Sequence, residues 1–350
     1  MSPDSLRRRL RRALGREHLD RWLLGGAALA LALGFLQPHW RTERSLFEHL
    51  VVIDVTQSMN VPDVQLAGKP VSRLAYAKQA LRDALLQLPC GSKVGWAIFT
   101  EYRAFLLFTP VEVCANLGEL RSTLARIDGR MAWIGGSEVA KGLHSGLAIA
   151  KALPEPTSLV FVTDGHEAPP LNPRHRPRFD DDKRGEVPGL IVGVGGPRPS
   201  PIPKVDPEGR MLGFWRADEV EQTDPRSRGR GGSVGGETMV DEQGPGAALP
   251  GATPGSEHLS SLRDTYLRLL ASELGLGYQR LDSPETLAAA LTAAPLARPV
   301  PVQADGRVPL AILALGLLLA RHASGALRWI RGAGRLAARA GHGGPPHGHD

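Results

Sequence analysis

Two rhythms of hydrophobic residues alternate along the middle of the chain. The first is the short, mainly apolar run: residues 49–55, Val94–Thr100, Ala104–Pro110, Ser158–Thr163 and Gly189–Gly195. Runs of this length without polar alternation predict strands covered on both faces. The second rhythm is helical. Leu74, Ala77, Leu81, Leu85 and Leu88 recur at helical spacing over residues 72–88, and Val139, Leu143, Leu147 and Ala150 do so over Ser137–Leu153. Further helices are expected to begin near Ala115 and to run over His258–Leu274. A short strand, Tyr278–Leu281, leads to a last helix opened by Ser283-Pro284-Glu285, with serine as cap and proline in the first turn. Strand and helix in alternation predict an α/β fold with a doubly wound, mostly parallel sheet. Val94–Thr100 and Ala104–Pro110, joined only by Glu101, Tyr102 and Arg103, predict one antiparallel hairpin at its edge.

Two insertions interrupt the alternation. Residues 166–188 are rich in Pro, Arg and Asp and read as an exposed loop. Residues 196–257 are longer; Ile202–Trp215 predicts a small hairpin turning at Pro207-Glu208-Gly209. Residues 226–257 hold nine Gly and three Pro in 32 positions, a composition that predicts flexible chain.

The ends differ from the middle. Trp22–Leu36 is an uncharged apolar run, and the stretch Trp22–Trp40 would span about 27 Å as a helix, roughly a hydrocarbon core with an aromatic residue at each interface. A cleaved signal peptide is the alternative for this run. Val308–Ala320 is shorter and sits between Arg307 and Arg321, with a buried core helix as its alternative. The expected organisation is a basic cytoplasmic terminus (1–21), a transmembrane helix (22–40), an exported domain (47–295), a second crossing (308–321) and a basic, His-containing cytoplasmic tail (322–350). Charge supports it. The net charge of +6 comes from about +4 at each end, leaving about −2 between them, so the positive-inside rule puts both termini in the cytoplasm and the domain in the periplasm of a bacterial inner membrane. No basic face remains for nucleic acid. The three histidines of the tail could hold a metal, but they read as a solvated tail.

The two cysteines, Cys90 and Cys114, bracket the predicted hairpin. If Tyr102 is its centre, facing residues have numbers that sum to 204, as 90 and 114 do. A disulfide is expected in an oxidising compartment, with two buried free thiols as the alternative; Pro89, Gly91 and Pro110 could shift the register.

Candidate chemistry gathers where strands end. Asp54, Thr56 and Ser58 follow the first strand at alternate positions; Ser137 opens a helix; Asp164 leaves the strand Ser158–Thr163. In an open α/β sheet these places lie at one edge, where ligands bind. Two carboxylates and three hydroxyls are hard oxygen ligands, suited to Mg²⁺ first and then to Mn²⁺ or Ca²⁺. Gln57, Gly136, Gly165, His166 and Glu167 are the expected rim. Two formal negative charges leave the ion electrophilic enough to accept an Asp or Glu from a protein partner.

The segments "DVTQS", "GGS" and "TDG" resemble the metal-ion-dependent adhesion site (MIDAS) of von Willebrand factor A (VWA) domains, with Thr56 for the usual Ser and Ser137 for the usual Thr. The resemblance spans residues 47–295 and implies a VWA/Rossmann-like fold and a docking role without catalysis. With "QSMN", "LPCGS", "VCANL" and "YLRLLASELGLGY", the chain is similar to the MxaL-type accessory proteins of bacterial methanol-oxidation gene clusters. That implies help with metal insertion into a periplasmic methanol dehydrogenase. It also resembles membrane proteins of aerotolerance operons, which implies complexes with other VWA membrane proteins and a MoxR-type ATPase. A weaker alternative is a Mg²⁺-dependent phosphotransfer enzyme of haloacid-dehalogenase type, with Asp54 as nucleophile, Asp164 on the metal and Lys141 or Lys151 as phosphate clamp; its "DGxxxD" feature is incomplete. His166 and Glu167 could form an acid–base pair, but a rim framing the metal is the preferred reading, and a plain polar turn is the alternative for Asp54, Thr56 and Ser58.

Overall fold

The computed structural model describes residues 20–36, 39–132, 135–172, 175–222, 237–241 and 255–322. Most of the basic terminus, the His-containing tail and about three-quarters of the Gly-rich stretch 226–257 lie outside the described residues. In chain order the strands are β1 (His39–Asp54), β2 (Val64–Leu66), β3 (Lys69–Val71), β4 (Lys93–Thr100), β5 (Arg103–Glu112), β6 (Ser158–Thr163), β7 (His175–Phe179) and β8 (Gly189–Gly193). They continue with β9 (Ser200–Pro201), β10 (Pro203–Val205), β11 (Met211–Phe214), β12 (Glu237–Asp241), β13 (Leu259–Ser260), β14 (Gly277–Arg280) and β15 (Ala297–Asp305). The helices are α1 (20–35), α2 (Arg73–Leu85), α3 (Leu117–Arg126), α4 (Val139–Ala152), α5 (Asp264–Leu274), α6 (Pro284–Leu291) and α7 (307–322).

Residues 45–299 form one compact unit around a sheet of order β14-β8-β6-β1-β4-β5. Every pairing from β14 to β4 is parallel and β4–β5 is antiparallel, which is the mixed α/β architecture the two rhythms predict. β1 shows why its run is apolar throughout. Successive side chains point to opposite faces, so Val51, Ile53 and Val55 enter one core with α2, α3 and α6, while Leu50 and Val52 enter the other with α4 and α5.

Several boundaries differ from the sequence reading. β1 starts at His39, well before its apolar run, and α5 starts at Asp264 because the preceding residues form β13. Ser283 stands at the N-cap position of α6 but its hydroxyl makes no capping bond to the helix backbone. The β4–β5 register is not uniform: Thr100 faces Arg103, Trp96 faces Phe108 and Lys93 faces Glu112, with shifts on both sides of Trp96. Pro110, which has no N–H to give the ladder, lies against Gly95, where a side chain would collide with it. Cys90 and Cys114 lie beyond the ladder and are joined by a disulfide, their Cα atoms 5.3 Å apart.

Of the described residues, those before 45 and those from 300 to 322 belong to a second unit. In it α1 and α7 meet through Ala27, Ala30 and Ala314. Each has sixteen described residues, about 24 Å of rise. Among the described residues no helix is long and apolar enough to cross a membrane. The helix expected over 22–40 does not reach Trp40, because the backbone is already in β1 at His39 and Trp40 lies on that strand. The apolar side chains of both helices are nonetheless outward: Trp22, Leu29, Phe35, Ile312, Leu315 and Leu319 are each at least 58 % exposed.

Candidate metal centre

β1 ends at Asp54, and the chain passes directly into the short turn Gln57–Asn60. The buried Asp54 carboxylate organises that turn: Oδ1 accepts from the Thr56 N–H at 2.9 Å and from Thr56 Oγ1 at 2.7 Å, while Oδ2 accepts from Thr163 Oγ1 at 2.6 Å. Ser58 Oγ lies 3.3 Å from Thr56 Oγ1. Alternate spacing beyond the strand end therefore brings the three side chains together, as their pattern suggested.

Asp164 emerges from the neighbouring strand, β6. Its Oδ1 accepts from the His166 N–H at 2.9 Å, and its Oδ2 accepts from Arg73 Nη1 at 2.5 Å and from Ser260 Oγ at 3.2 Å. Ser137 is fixed by backbone on both sides. It exchanges hydrogen bonds with Ala168 at 2.6 and 2.8 Å, and the Glu138 N–H donates to the Glu101 carbonyl at 2.5 Å. Its Oγ is buried and has no partner. Thr56, Gln57, Ser58, Gly136, Ser137 and His166 line a cavity of about 280 Å³, and Asp54 and Asp164 are wholly buried next to it.

Charge at the centre is unevenly placed. Burial raises Asp54, helped by the charge on Asp164, to about 7. Burial pushes Asp164 up as well, but the Arg73 guanidinium overrides it and holds the carboxyl below its usual range. Burial lowers His166 to about 4, so its imidazole is neutral at physiological pH; its buried Nδ1 has no partner. Two buried carboxylates and three hydroxyls, one of them the orphaned Ser137 Oγ, form a donor set that fits a hard divalent cation.

Arg73, Thr163 and Ser260 are parts of the centre that the sequence reading missed. Arg73 is fully buried and forks onto Asp63, with Nε–Oδ1 at 3.0 Å and Nη2–Oδ2 at 2.6 Å, while Nη1 also reaches Ser260 Oγ at 2.6 Å. Its signal was present: Arg73 opens α2 on the same stripe as Ala77, Ala80 and Ala84, a position that ordinarily takes an apolar residue.

Two expected rim residues are not at the rim. Gly165 has φ +76, and a side chain there would meet Arg263 and Leu267, away from the cavity. Glu167 is buried behind Ser137, where its carboxylate accepts from the Val139 and Ala140 N–H groups at 3.0 and 3.2 Å and from Tyr266 Oη at 2.6 Å. It caps α4 from another segment and so anchors the helix that Ser137 precedes. Burial pushes Glu167 from its ordinary 4.5 to about 8. The folded state therefore holds a proton that the unfolded chain releases, and this contribution to stability is complete below about 4.5 and lost as pH rises through about 8. Urea unfolding should show the wild type losing stability relative to Glu167→Gln across that window; parallel pH profiles would show that Glu167 is ionised throughout.

Neither lysine of the phosphotransfer alternative lines the cavity. Lys141 pairs with Glu138 at 2.6 Å, and Lys151 pairs with Glu186 at 2.7 Å and Asp182 at 3.5 Å.

Residues 49–166 match the von Willebrand factor type A domain. The match covers about a third of the chain, includes all five oxygen donors, and ends before the long insertion. VWA domains commonly bind a divalent metal and mediate protein–protein contacts. No curated protein matches the chain. Among solved structures it is similar to an aerotolerance-related membrane protein from Bacteroides fragilis, at 19% identity and a TM-score of 0.43, over 70% of this chain and 96% of that one. It is also similar to an uncharacterized membrane spanning protein from Vibrio fischeri, at 18% identity and a TM-score of 0.26, over 69% and 94% of the two chains. A von Willebrand factor type A protein from Catenulispora acidiphila is 14% identical with a TM-score of 0.35, and this chain covers 41% of it while 71% of this chain is matched. Likenesses this distant carry no argument about activity.

Proposed function

We propose that this chain is a membrane-anchored protein whose VWA domain holds a divalent cation, Mg²⁺ in the first place, on Asp54, Thr56, Ser58, Ser137 and Asp164, and docks an acidic residue of a protein partner there. The observation that carries the reading is Ser137 Oγ, buried, unpartnered and held by backbone at the cavity that Thr56 and Ser58 also line. A bound cation would supply an electrophilic position for a carboxylate. His166, neutral and with a free Nδ1 at the same cavity, is placed to donate to that carboxylate's second oxygen.

Membrane anchoring is supported by the outward apolar side chains of α1 and α7, which water would not favour, and by the basic residues beyond them. The disulfide suits a periplasmic position for the domain, with both termini in the cytoplasm. The proposed role is docking rather than phosphotransfer, since neither Lys141 nor Lys151 lines the cavity where a phosphate clamp would be needed. By sequence resemblance the partner is a periplasmic methanol dehydrogenase under assembly, with an ATPase-linked complex of VWA membrane proteins as the second reading.

Capture from solubilised native membranes tests this. The full chain should retain a partner in Mg²⁺ and release it in EDTA, and the partner's identity separates dehydrogenase assembly from the ATPase-linked role. Retention in EDTA would overturn metal-bridged docking.

A further inference from the structure

The long insertion does not stand apart from the metal centre. Its residues Ile202, Trp215, Glu219, Glu221 and Glu257 line the same cavity as Thr56, Ser58 and Ser137. It is fastened there at two points. Trp215 Nε1 donates to Gln57 Oε1 at 2.5 Å, tying the end of β11 to the metal-binding turn. At the other end Ser260, in β13, is bonded to Arg73 and Asp164, and the Arg263 N–H donates to the Asp164 carbonyl at 2.9 Å. The insertion is thus a second wall, and a ligand approaching the cation enters a cleft. At about 280 Å³ the cleft is at the small end of the roughly 300–1,000 Å³ typical of ligand sites, room for one or two side chains.

The wall has one sign of charge. Glu219, Glu221 and Glu257 line the cleft, and among the described residues no lysine or arginine does. Glu219 is offset by Lys204 at 2.7 Å, and that ammonium also lies 4.5 Å from the centre of the Trp215 ring. Glu257 is buried and faces the charge of Arg263. Glu221 is exposed and has no partner among the described residues. A bare carboxylate drawn to the cation would therefore meet an uncompensated negative charge on the opposite wall. A ligand that brings a positive charge beside its acid would not.

We propose that the insertion makes the docking site selective for an acidic residue accompanied by a lysine or arginine in the same short segment of the partner, the acid going to the cation and the base to Glu221. This rests on the docking function proposed above and adds the partner's local sequence chemistry. Ser137 Oγ and His166 Nδ1, both buried and unpartnered at the cleft, mark the acid's end, and Glu221 marks the base's end.

The test uses the full chain in detergent at saturating Mg²⁺ and two synthetic peptides, Gly-Gly-Asp-Gly-Lys-Gly and Gly-Gly-Asp-Gly-Ala-Gly, both amidated and acetylated, titrated by calorimetry. The lysine peptide should bind about fivefold tighter, as a partly exposed charge pair allows, and the preference should collapse toward unity in Glu221→Gln. Equal affinities in Mg²⁺, or a preference that survives Glu221→Gln, would overturn the inference and leave metal docking intact. Binding of both peptides that ignores EDTA, or no binding of either, would remove the docking function and this inference with it.

Discussion

Asp54→Ala should lower Mg²⁺ affinity by more than about a hundredfold, since losing even an outer-shell group commonly costs 10–100-fold, and partner binding should vanish with it. The same substitution should leave the apo domain folded. In the absence of a cation Asp54 is a buried carboxylate pushed up by burial and by Asp164, so removing it relieves a repulsion while costing its bonds to Thr56 and Thr163. These effects oppose each other, whereas the effect on the metal does not. The measurement is paired: calorimetric Mg²⁺ titration, and thermal unfolding in Mg²⁺ and in EDTA. Wild type should gain stability from Mg²⁺ by mass action and Asp54→Ala should not. Asp164→Ala should behave similarly toward Mg²⁺ but be less stable, because it also strands Arg73. Wild-type affinity in Asp54→Ala would mean that the cation sits elsewhere.

The legible part of this chain is what local pattern controls. Leu50 to Ile53 is apolar at every position because both sheet faces are covered, so strand and helix could be read off directly, and with them the edge at which Asp54 and Asp164 emerge. What pattern does not control was not legible. The bulge beside Trp96 depends on Pro110 meeting Gly95 across the hairpin, and Glu167 caps a helix outside its own segment. The hairpin expected over Ile202–Trp215 is present as β10–β11, but its place as a wall of the cleft was not legible, because that depends on Trp215 reaching Gln57 across 158 positions of sequence. The terminal helices show the converse error. Hydropathy was extended through Trp40, but β1 begins at His39.

Arg73 is where the largest loss of stability is expected. Its guanidinium is fully buried and is shared between Asp63 and Asp164, with Ser260 completing its donors. A buried pair of this kind is weak evidence of net stabilisation, but removing one partner leaves the others charged and desolvated. Arg73→Met should therefore cost about 3–5 kcal/mol in urea unfolding. Arg73→Lys should recover only part of this, since a single ammonium cannot fork onto Asp63 and also reach Asp164. The proposed cation gives the experiment a second arm. A divalent ion beside Asp164 supplies positive charge that the variant lacks, so Mg²⁺ should stabilise Arg73→Met more than it stabilises the wild type. A loss under about 1 kcal/mol would mean that Asp164 is compensated without Arg73. An equal response of both proteins to Mg²⁺ would mean that the ion and the guanidinium do not act on the same carboxylate. The two answers bear on one design: with the Arg73–Asp63 pair neutral, Asp164 and Asp54 carry two formal negative charges at the centre, the number a divalent cation neutralises, and Arg73 ties the stem of the insertion to the place where that cation would sit.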